Sequence, residues 1–189
     1  MKKFDRTTKY LKEQLISYMS EYNTNTMSIT DFCKYCDINR KTFYFHFESI
    51  DDLKAELIED KKKYLESCYK NYLTVDKDLQ IKEMVYYFNL YMVEEYNFYK
   101  VVFGVPYNEY IFVSISDFFG DILKPIFDDS KFTSISEQTI VIQGFVFALF
   151  SPYRYAYNHQ IPFNDPSLQQ MTLKAFDIHD YIKHKNDIL

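Results

Sequence analysis

The chain contains 189 residues, of which 47% are hydrophobic, and its net charge is −5 at pH 7. This length and apolar content are enough to bury a core in one large or two small domains, which excludes a disordered chain. Three cysteines are too few for a disulfide framework and no secretion signal is recognised before them, so we expect a reduced, cytoplasmic setting.

The composition favours an all-α protein with an uneven charge distribution. Only three glycines and five prolines interrupt long stretches of Leu, Ile, Lys, Glu, Tyr and Phe. The negative total argues against a nucleic-acid partner, but residues 1–50 carry eight Lys and Arg against six Asp and Glu. Their net charge of +2 leaves −7 for residues 51–189, an asymmetry expected of a small DNA-reading head on an acidic body.

The chain opens with a basic stretch, Met1–Lys9, that shows no helical pattern. We predict an arm there, whose cations could add phosphate contacts beside a DNA-binding segment. Leu11 and Leu15 belong to a helical period that predicts a first helix from about Thr8 to Tyr22. The polar run Asn23–Thr26 ends this helix.

The segment Met27–Leu53 predicts a helix-turn-helix. Ser28 is a capping residue and starts a helix of about two turns. Asp37 can take the left-handed conformation that closes this helix, because Asp visits that region at modest cost. Asn39 can cap a second helix, which begins at Arg40, and a further helix starts directly after the second.

The second helix of the motif has an apolar and a polar side. Phe43 and Phe47 are one turn apart and are predicted to pack on the helix before them, and Phe45 is also assigned to the core. Cations and hydroxyls are left on the other faces: Arg40, Lys41, Thr42 and Tyr44. Two adjacent cations and a hydroxyl at a helix N-terminus suit a groove lined with acceptor atoms and phosphates. The alternative for the two cations is a solvated helix face.

Cys33 and Cys36 form a C-x-x-C pattern. A structural zinc site needs four ligands, and the nearest further candidates, His179 and His184, are far away in the sequence. Redox motifs of this form occur between a strand and a helix, a context that is not predicted here. We therefore interpret both cysteines as core residues.

The residues of the motif resemble the N-terminal domain of TetR/AcrR-family transcriptional regulators. The resemblance rests on five groups that occur in the family's order: Ser28-Ile29, Cys36-Asp37-Ile38-Asn39, Thr42-Phe43-Tyr44, His46-Phe47 and Asp51-Asp52-Leu53. These groups fix about ten positions within roughly the first third of the chain. The chain departs from the family at Asp37, which replaces the turn glycine, and at Ile50, which replaces a lysine that reaches a phosphate. The second departure removes one expected backbone contact.

The resemblance implies a role for each polar side chain of the motif. Four side chains are expected to contact the DNA backbone: Ser28, Thr42, Tyr44 and His46. Three others are expected to face base edges: Asn39, Arg40 and Lys41. For Tyr44 and His46 the alternative is a surface or partly buried side chain that does not contact DNA.

Aromatic residues are dense between Met84 and Tyr99, in two helices or one broken helix, and another helical segment is predicted from about Asn108 to Leu123. Aromatic side chains on all faces of a helix indicate that it is buried on most sides or lines a cavity. A plain core and a pocket for a flat or apolar small molecule both remain open. Five residues are the candidate pocket lining: Tyr87, Tyr91, Phe103, Tyr107 and Phe119.

Two helices are predicted at the C-terminal end of the chain. Ser134–Glu137 form a capping box that starts the first, which continues to about Tyr157, and Asp165–Pro166 start the second. Gly144 and Ala148 leave a shallow groove that another helix can enter. The apolar run is too short and too interrupted to span a bilayer. By resemblance, the two helices pair with those of a second copy in a four-helix dimer interface; the alternative is packing within one monomer.

The patterns and the resemblance together predict an all-α, two-part transcriptional regulator. A helix-turn-helix DNA-binding domain is expected over residues 1–50, a connecting helix over about 51–73, and a helical effector-binding and dimerisation domain over 74–189. The expected function is that of a homodimeric repressor, which reads a palindromic operator in double-stranded DNA and is released by an apolar or aromatic small molecule. The alternative is that the protein activates transcription. The alternative class is a protein-interaction or co-regulator module of the same fold. No enzyme, cofactor or metal function is expected, because no nucleophile–base arrangement, phosphate-binding glycine loop or metal cluster is recognised.

Overall fold

The computed structural model describes residues 3–24, 26–70, 77–104, 108–127 and 132–175. Across these ranges the chain is helical and contains no β-strand, so the all-α prediction is confirmed for them. The helices are α1 (Lys3–Tyr22), α2 (Ile29–Tyr35), α3 (Arg40–His46), α4 (Ile50–Lys70), α5 (Lys77–Glu94), α6 (Tyr96–Phe103), α7 (Glu109–Leu123), α8 (Ile135–Asn158) and α9 (Pro166–Ala175). A 3₁₀ turn, Lys124–Ile126, follows α7.

The observed helix boundaries differ from the predicted ones mainly at the start of the chain. α1 begins at Lys3, so residues 3–8 of the predicted arm are helical. Lys and Arg have high helix propensity, which favours a helix in this basic segment. The aromatic-dense segment forms two helices, α5 and α6, which was one of the two predicted options. The final helix, predicted to include Ile182, is described as far as Ala175.

The described helices group into two compact units. The first unit is drawn from Met1–Lys63 and Asn97–Ile115, and the second from Tyr64–Tyr96 and Ser116–Leu189. This grouping follows the packing of the chain and does not test a division of function. The predicted boundary between a DNA-binding part and an effector-binding part therefore stays a prediction.

The interior of the first unit is built from α1, α2, α3 and the first part of α4. Each of these helices buries apolar side chains at helical spacing: Leu11, Leu15, Met19, Phe32, Phe43, Leu53 and Leu57. The ammonium of Lys12 lies 2.7 Å from a carboxylate oxygen of Asp60 and 3.0 Å from one of Glu56. These two ion pairs connect α1 to α4 at the edge of the apolar interior.

Cys33 and Cys36 are free thiols inside the first unit, 3% and 2% exposed. Burial raises the pKa of both thiols, that of Cys36 to about 12. A thiol that stays protonated at neutral pH is a weak nucleophile and a weak metal ligand. The prediction that both cysteines pack as core residues is confirmed. Among the residues that the structure describes, no three His, Cys, Asp or Glu side chains are placed to hold a metal ion.

The second unit contains a cluster of buried aromatic rings. The ring of Phe119 stacks on that of Phe88, with centroids 5.4 Å apart and planes at 13°, and lies 5.2 Å from the ring of Tyr69. The hydroxyl of Tyr153 donates to the side-chain carbonyl of Asn89 at 2.5 Å, which satisfies two buried polar groups. α9 packs against α8 and α5. None of the helices in the described ranges is both long and apolar enough to cross a membrane.

Candidate nucleic-acid interface

α2 begins as its sequence predicts. The hydroxyl oxygen of Ser28 accepts a hydrogen bond from the backbone N–H of Asp31 at 3.1 Å, and the hydroxyl donates to the Asp31 carboxylate at 2.6 Å. Ser28 is exposed, so its position at the start of α2 is open to a large ligand. A contact with a phosphate would replace the bond to the carboxylate, because a hydroxyl has one proton to donate.

The turn between α2 and α3 is held by local hydrogen bonds. Asp37 has a φ of 50°, in the left-handed region predicted for it, and the N–H of Ile38 bonds to the carbonyl of Cys33 at 3.0 Å. Asn39 caps α3: its side-chain oxygen accepts from the backbone N–H of Thr42 at 2.7 Å and from the Thr42 hydroxyl at 3.1 Å. The amide N–H₂ of Asn39 is its remaining donor group for a base edge.

The buried side of α3 fixes the direction in which its other faces point. Phe43 is fully buried, and its ring centroid lies 6.1 Å from that of Phe32 and 6.1 Å from that of Phe47. The ring of Tyr44 packs edge-on against Phe43 at 5.8 Å, while Tyr44 as a whole remains 49% exposed. A single anchored aromatic residue therefore sets the rotation of a helix only seven residues long.

The outward side of α3 carries three pairs of residues, each spaced by one turn. Successive residues are rotated by about 100° around a helix, so Lys41 and Phe45 lie opposite the buried Phe43. Both are exposed. One flank carries Arg40 and Tyr44, and the other carries Thr42 and His46. Of the predicted DNA-contacting residues of α3, Arg40, Lys41 and Tyr44 are thus exposed together on one surface. Thr42 and His46 are half-buried at its edge.

The assignment of Phe45 to the core is wrong. Its side chain is 73% exposed. Phe45 follows Phe43 by two positions, which places the two side chains about 200° apart around the helix. A helix that buries Phe43 and then ends at a buried Phe47 cannot bury Phe45 on the same side. The helical period, applied strictly, predicts this exposure; aromatic character alone does not.

Arg40 and Tyr44 form a surface pair at the N-terminal end of α3. A guanidinium nitrogen of Arg40 donates to the Tyr44 hydroxyl at 3.4 Å, and the guanidinium carbon lies 5.9 Å from the Tyr44 ring centroid. Both side chains are exposed, so the pair is a weak, surface arrangement. It presents the donors of a guanidinium and a phenol at one place, and a phosphate oxygen or a guanine edge accepts bonds from such donors.

His46 is tied to the first helix of the chain. Its Nδ1 lies 3.0 Å from the hydroxyl oxygen of Thr8, and the side chain is half-buried. Burial lowers the pKa of His46 below its usual value of about 6.5. The neutral ring favoured at neutral pH has little attraction for a phosphate. The structure therefore gives His46 a clear role in joining α3 to α1, which sequence reasoning missed because Thr8 lies 38 positions away.

A pH titration tests this role. The neutral form of His46 is favoured in the folded state, so the unfolded state binds its proton more readily. The stabilising contribution is fully present above the unfolded pKa of about 6.5 and is lost as the pH falls toward the lower folded pKa. We expect the melting temperature of the protein to fall more between pH 7.5 and 5 than that of His46→Gln. His159→Gln controls for loss of a histidine outside the first unit, and an equal fall in wild type and His46→Gln would contradict the expectation.

Ile50 occupies the position where the resembled family has a phosphate-contacting lysine. It is 8% exposed and begins α4. Hydrogen bonds around it cap the helix: the N–H of Glu48 donates to the Asp52 carboxylate at 2.9 Å, and the N–H of Asp52 donates to the Ser49 hydroxyl at 3.0 Å. The side chain at this position contributes to the interior of the unit rather than to an anion-binding surface.

The candidate effector residues are divided between the two units. Tyr87, Tyr91 and Phe119 belong to the second unit and Phe103 to the first, while Tyr107 lies outside the described residues. Tyr91, Phe103 and Phe119 are 1%, 3% and 0% exposed, and Tyr87 is half-buried. Phe119 is surrounded by other rings in the aromatic cluster, which is the arrangement of a core residue. A role in binding an effector stays a prediction for these residues.

No protein-family model matches the chain, and no curated protein matches it significantly. The TetR/AcrR resemblance is thus carried by the motif residues alone.

Proposed function

We propose that the chain is a sequence-specific DNA-binding transcriptional regulator of the TetR/AcrR type. The observation that carries the proposal is the surface of α3. Arg40, Lys41 and Tyr44 are exposed on it, and the N-terminus of the helix is capped by Asn39. A short, rigidly anchored helix with an exposed polar face is the part of a helix-turn-helix that enters the major groove.

The chemistry of this surface suits a major groove. The groove is about 12 Å wide, admits one helix, and presents guanine O6 and N7 as paired acceptors. Arg40 has the planar fork that binds such a pair, and Lys41 supplies a second cation one residue further along. Tyr44 supplies a hydroxyl donor on one flank, where a phosphate backbone borders the groove. Thr42 on the other flank would donate to a phosphate in place of its bond to the Asn39 side-chain oxygen. Binding would depend strongly on salt, because each neutralised phosphate releases counterions.

A regulator of this type reads its site as a twofold dimer. Two copies of α3 would lie about 34 Å apart, in successive major grooves of a palindromic operator. An exposed apolar stripe on α8, which includes Ile140 and Phe147, supports pairing with a second copy. A small apolar or aromatic effector that binds one arrangement of the dimer more tightly would shift the population and release the operator, so that the protein acts as a repressor.

A binding selection on random duplex DNA tests the proposal. We expect wild-type protein to enrich a palindrome. Arg40→Ala should weaken binding by about tenfold or more and relax base preference at one position in each half-site. Tyr44→Ala should weaken binding to all sequences similarly, because a phosphate contact carries no base information. Arg40→Lys should relax base preference while retaining the dependence on salt, because it keeps the charge and loses the fork.

A matched control separates these effects from general electrostatics. Lys63 is exposed on α4 and pairs with Glu59 at 3.7 Å, outside the α3 surface. Lys63→Ala should change operator affinity by less than about twofold, as expected for a surface ion pair. If Arg40→Ala and Lys63→Ala weaken binding to the enriched palindrome equally, the assignment of α3 as the helix that reads the bases is contradicted.

The alternative is a protein-interaction or co-regulator module. The exposed apolar stripe on α8 supports this alternative as well as it supports a homodimer. Exposed apolar patches are typical of interfaces with either kind of partner. This alternative predicts no sequence enrichment in the selection and binding to DNA that is weak and indifferent to sequence. That outcome would favour binding of a protein partner over operator binding as the function of the chain.

A further inference from the structure

We infer that Phe45 reads the 5-methyl group of a thymine in the operator, and is thus a specificity-determining residue of α3. The inference rests on the proposed function, because it assigns a target to one side chain on the proposed DNA-reading surface. The observation behind it is that the aromatic residue expected in the core lies instead at the centre of the outward face.

Phe45 is the most exposed aromatic side chain in the part of the chain that the structure describes. At 73% exposure it exceeds Tyr110 at 66% and Tyr22 and Tyr155 at 55%. Exposed phenylalanine leaves a large apolar area in water, and its transfer to an apolar contact is favourable by about 25 cal/mol for each Å² removed. A binding partner that covers this ring would therefore gain affinity from it.

The position of Phe45 on α3 selects the kind of partner. It lies one turn after Lys41, on the face directly opposite the buried Phe43. When that face enters the major groove, the side chains of Lys41 and Phe45 point at the floor of the groove, which the long Arg40 side chain would reach from the flank. The Phe45 side chain has no hydrogen-bonding group, so it cannot bind the donors and acceptors of the base edges. The apolar group on the major-groove edge of the four bases is the thymine methyl.

The spacing also predicts where the thymine lies. Four residues of α-helix advance about 6 Å along the axis, and successive base pairs are about 3.4 Å apart. The methyl group should therefore lie about two base pairs from the base contacted by Lys41. The ring of His46 meets that of Phe45 edge-on at 5.3 Å with planes at 89°, and this contact restricts the directions in which the Phe45 ring can point.

Replacement of thymine by deoxyuridine in the selected operator tests the inference. The exchange removes the methyl group and leaves base pairing and all groove donors and acceptors in place. We expect one thymine in each half-site at which deoxyuridine weakens wild-type binding by about fourfold, the value of one buried methyl group. Phe45→Ala should lose this difference and bind the two operators equally, and Phe45→Leu should retain part of it.

Two controls keep the test specific. Circular dichroism should show unchanged helix content in Phe45→Ala, because the side chain is exposed and its removal leaves the interior intact. Tyr22→Ala removes another exposed aromatic ring of the first unit and should keep the fourfold difference. A wild-type protein that selects an operator but tolerates deoxyuridine at every thymine would overturn the inference and leave the proposed function standing. Sensitivity that persists in Phe45→Ala would also overturn it, because another side chain would then read the methyl group. No selected operator would mean that the proposed function itself has failed.

Discussion

Phe43→Ala is expected to destabilise the first unit severely and to abolish operator binding. The Phe43 ring is fully buried, and its centroid lies 6.1 Å from the ring centroids of both Phe32 and Phe47. Truncation of a buried phenylalanine to alanine costs about 3–5 kcal/mol, since the transfer energy is lost and a cavity remains. Whole domains are stable by only about 5–15 kcal/mol. Urea unfolding followed by circular dichroism should show the loss as a lower midpoint.

The chain offers a close control for this prediction. Phe45→Ala makes the same chemical change in the same helix, two positions away, at a side chain that is 73% exposed. Its effect on stability should stay within about 0.5 kcal/mol, as for other surface substitutions. Equal destabilisation by the two substitutions would contradict the assignment of Phe43 as the anchor of α3. A stable Phe43→Ala variant that still binds its operator would contradict it as well.

Local capping chemistry was predictable from the sequence. Ser28 and Asn39 cap their helices, and Asp37 takes the left-handed conformation, as expected. Such features depend on a few neighbouring residues, because a cap bonds to backbone groups two or three positions away. The all-α class was predictable for a similar reason, since helical periods are local patterns.

Features that depend on distant contacts were not predictable in the same way. The bond between His46 and Thr8 joins residues 38 positions apart, and nothing in the local sequence of either residue announces it. The role of the rings in the aromatic-dense helices also could not be predicted from the local sequence. A ring that fills a core and a ring that lines a pocket have the same sequence pattern, and only packing, such as that of Phe119 on Phe88, separates them.

Phe45 is an intermediate case between these two. Its exposure follows from helix geometry once Phe43 is known to be buried. Its apolar aromatic side chain, considered alone, predicts a core position instead. Where a local rule and the observed structure disagree, a functional role is the first explanation to test.

Substitution of the apolar stripe on α8 by charge is expected to dissociate the proposed dimer. Ile140 and Phe147 are 72% and 49% exposed in the isolated chain and lie on the face of α8 opposite its buried residues. Gly144 lies between them, and a Cβ added there would meet no other atom within 4 Å. A helix from a second copy can therefore approach α8 closely at this position. A charge in such an interface is strongly unfavourable, because it loses its hydration without gaining a partner.

Sedimentation velocity would measure the result for Phe147→Asp and Ile140→Asp. We expect wild-type protein at twice the monomer mass and both variants at the monomer mass, with circular dichroism unchanged because the substituted side chains are exposed. Operator affinity should fall by at least about a hundredfold, since a monomer loses the high effective concentration of the second head. Tyr110→Asp, the same kind of change at a 66% exposed side chain on α7, should leave the dimer intact. If the wild-type protein is a monomer, a twofold operator loses its basis and a protein partner at α8 is favoured. If it is a dimer that neither substitution dissociates, the interface lies elsewhere on the chain.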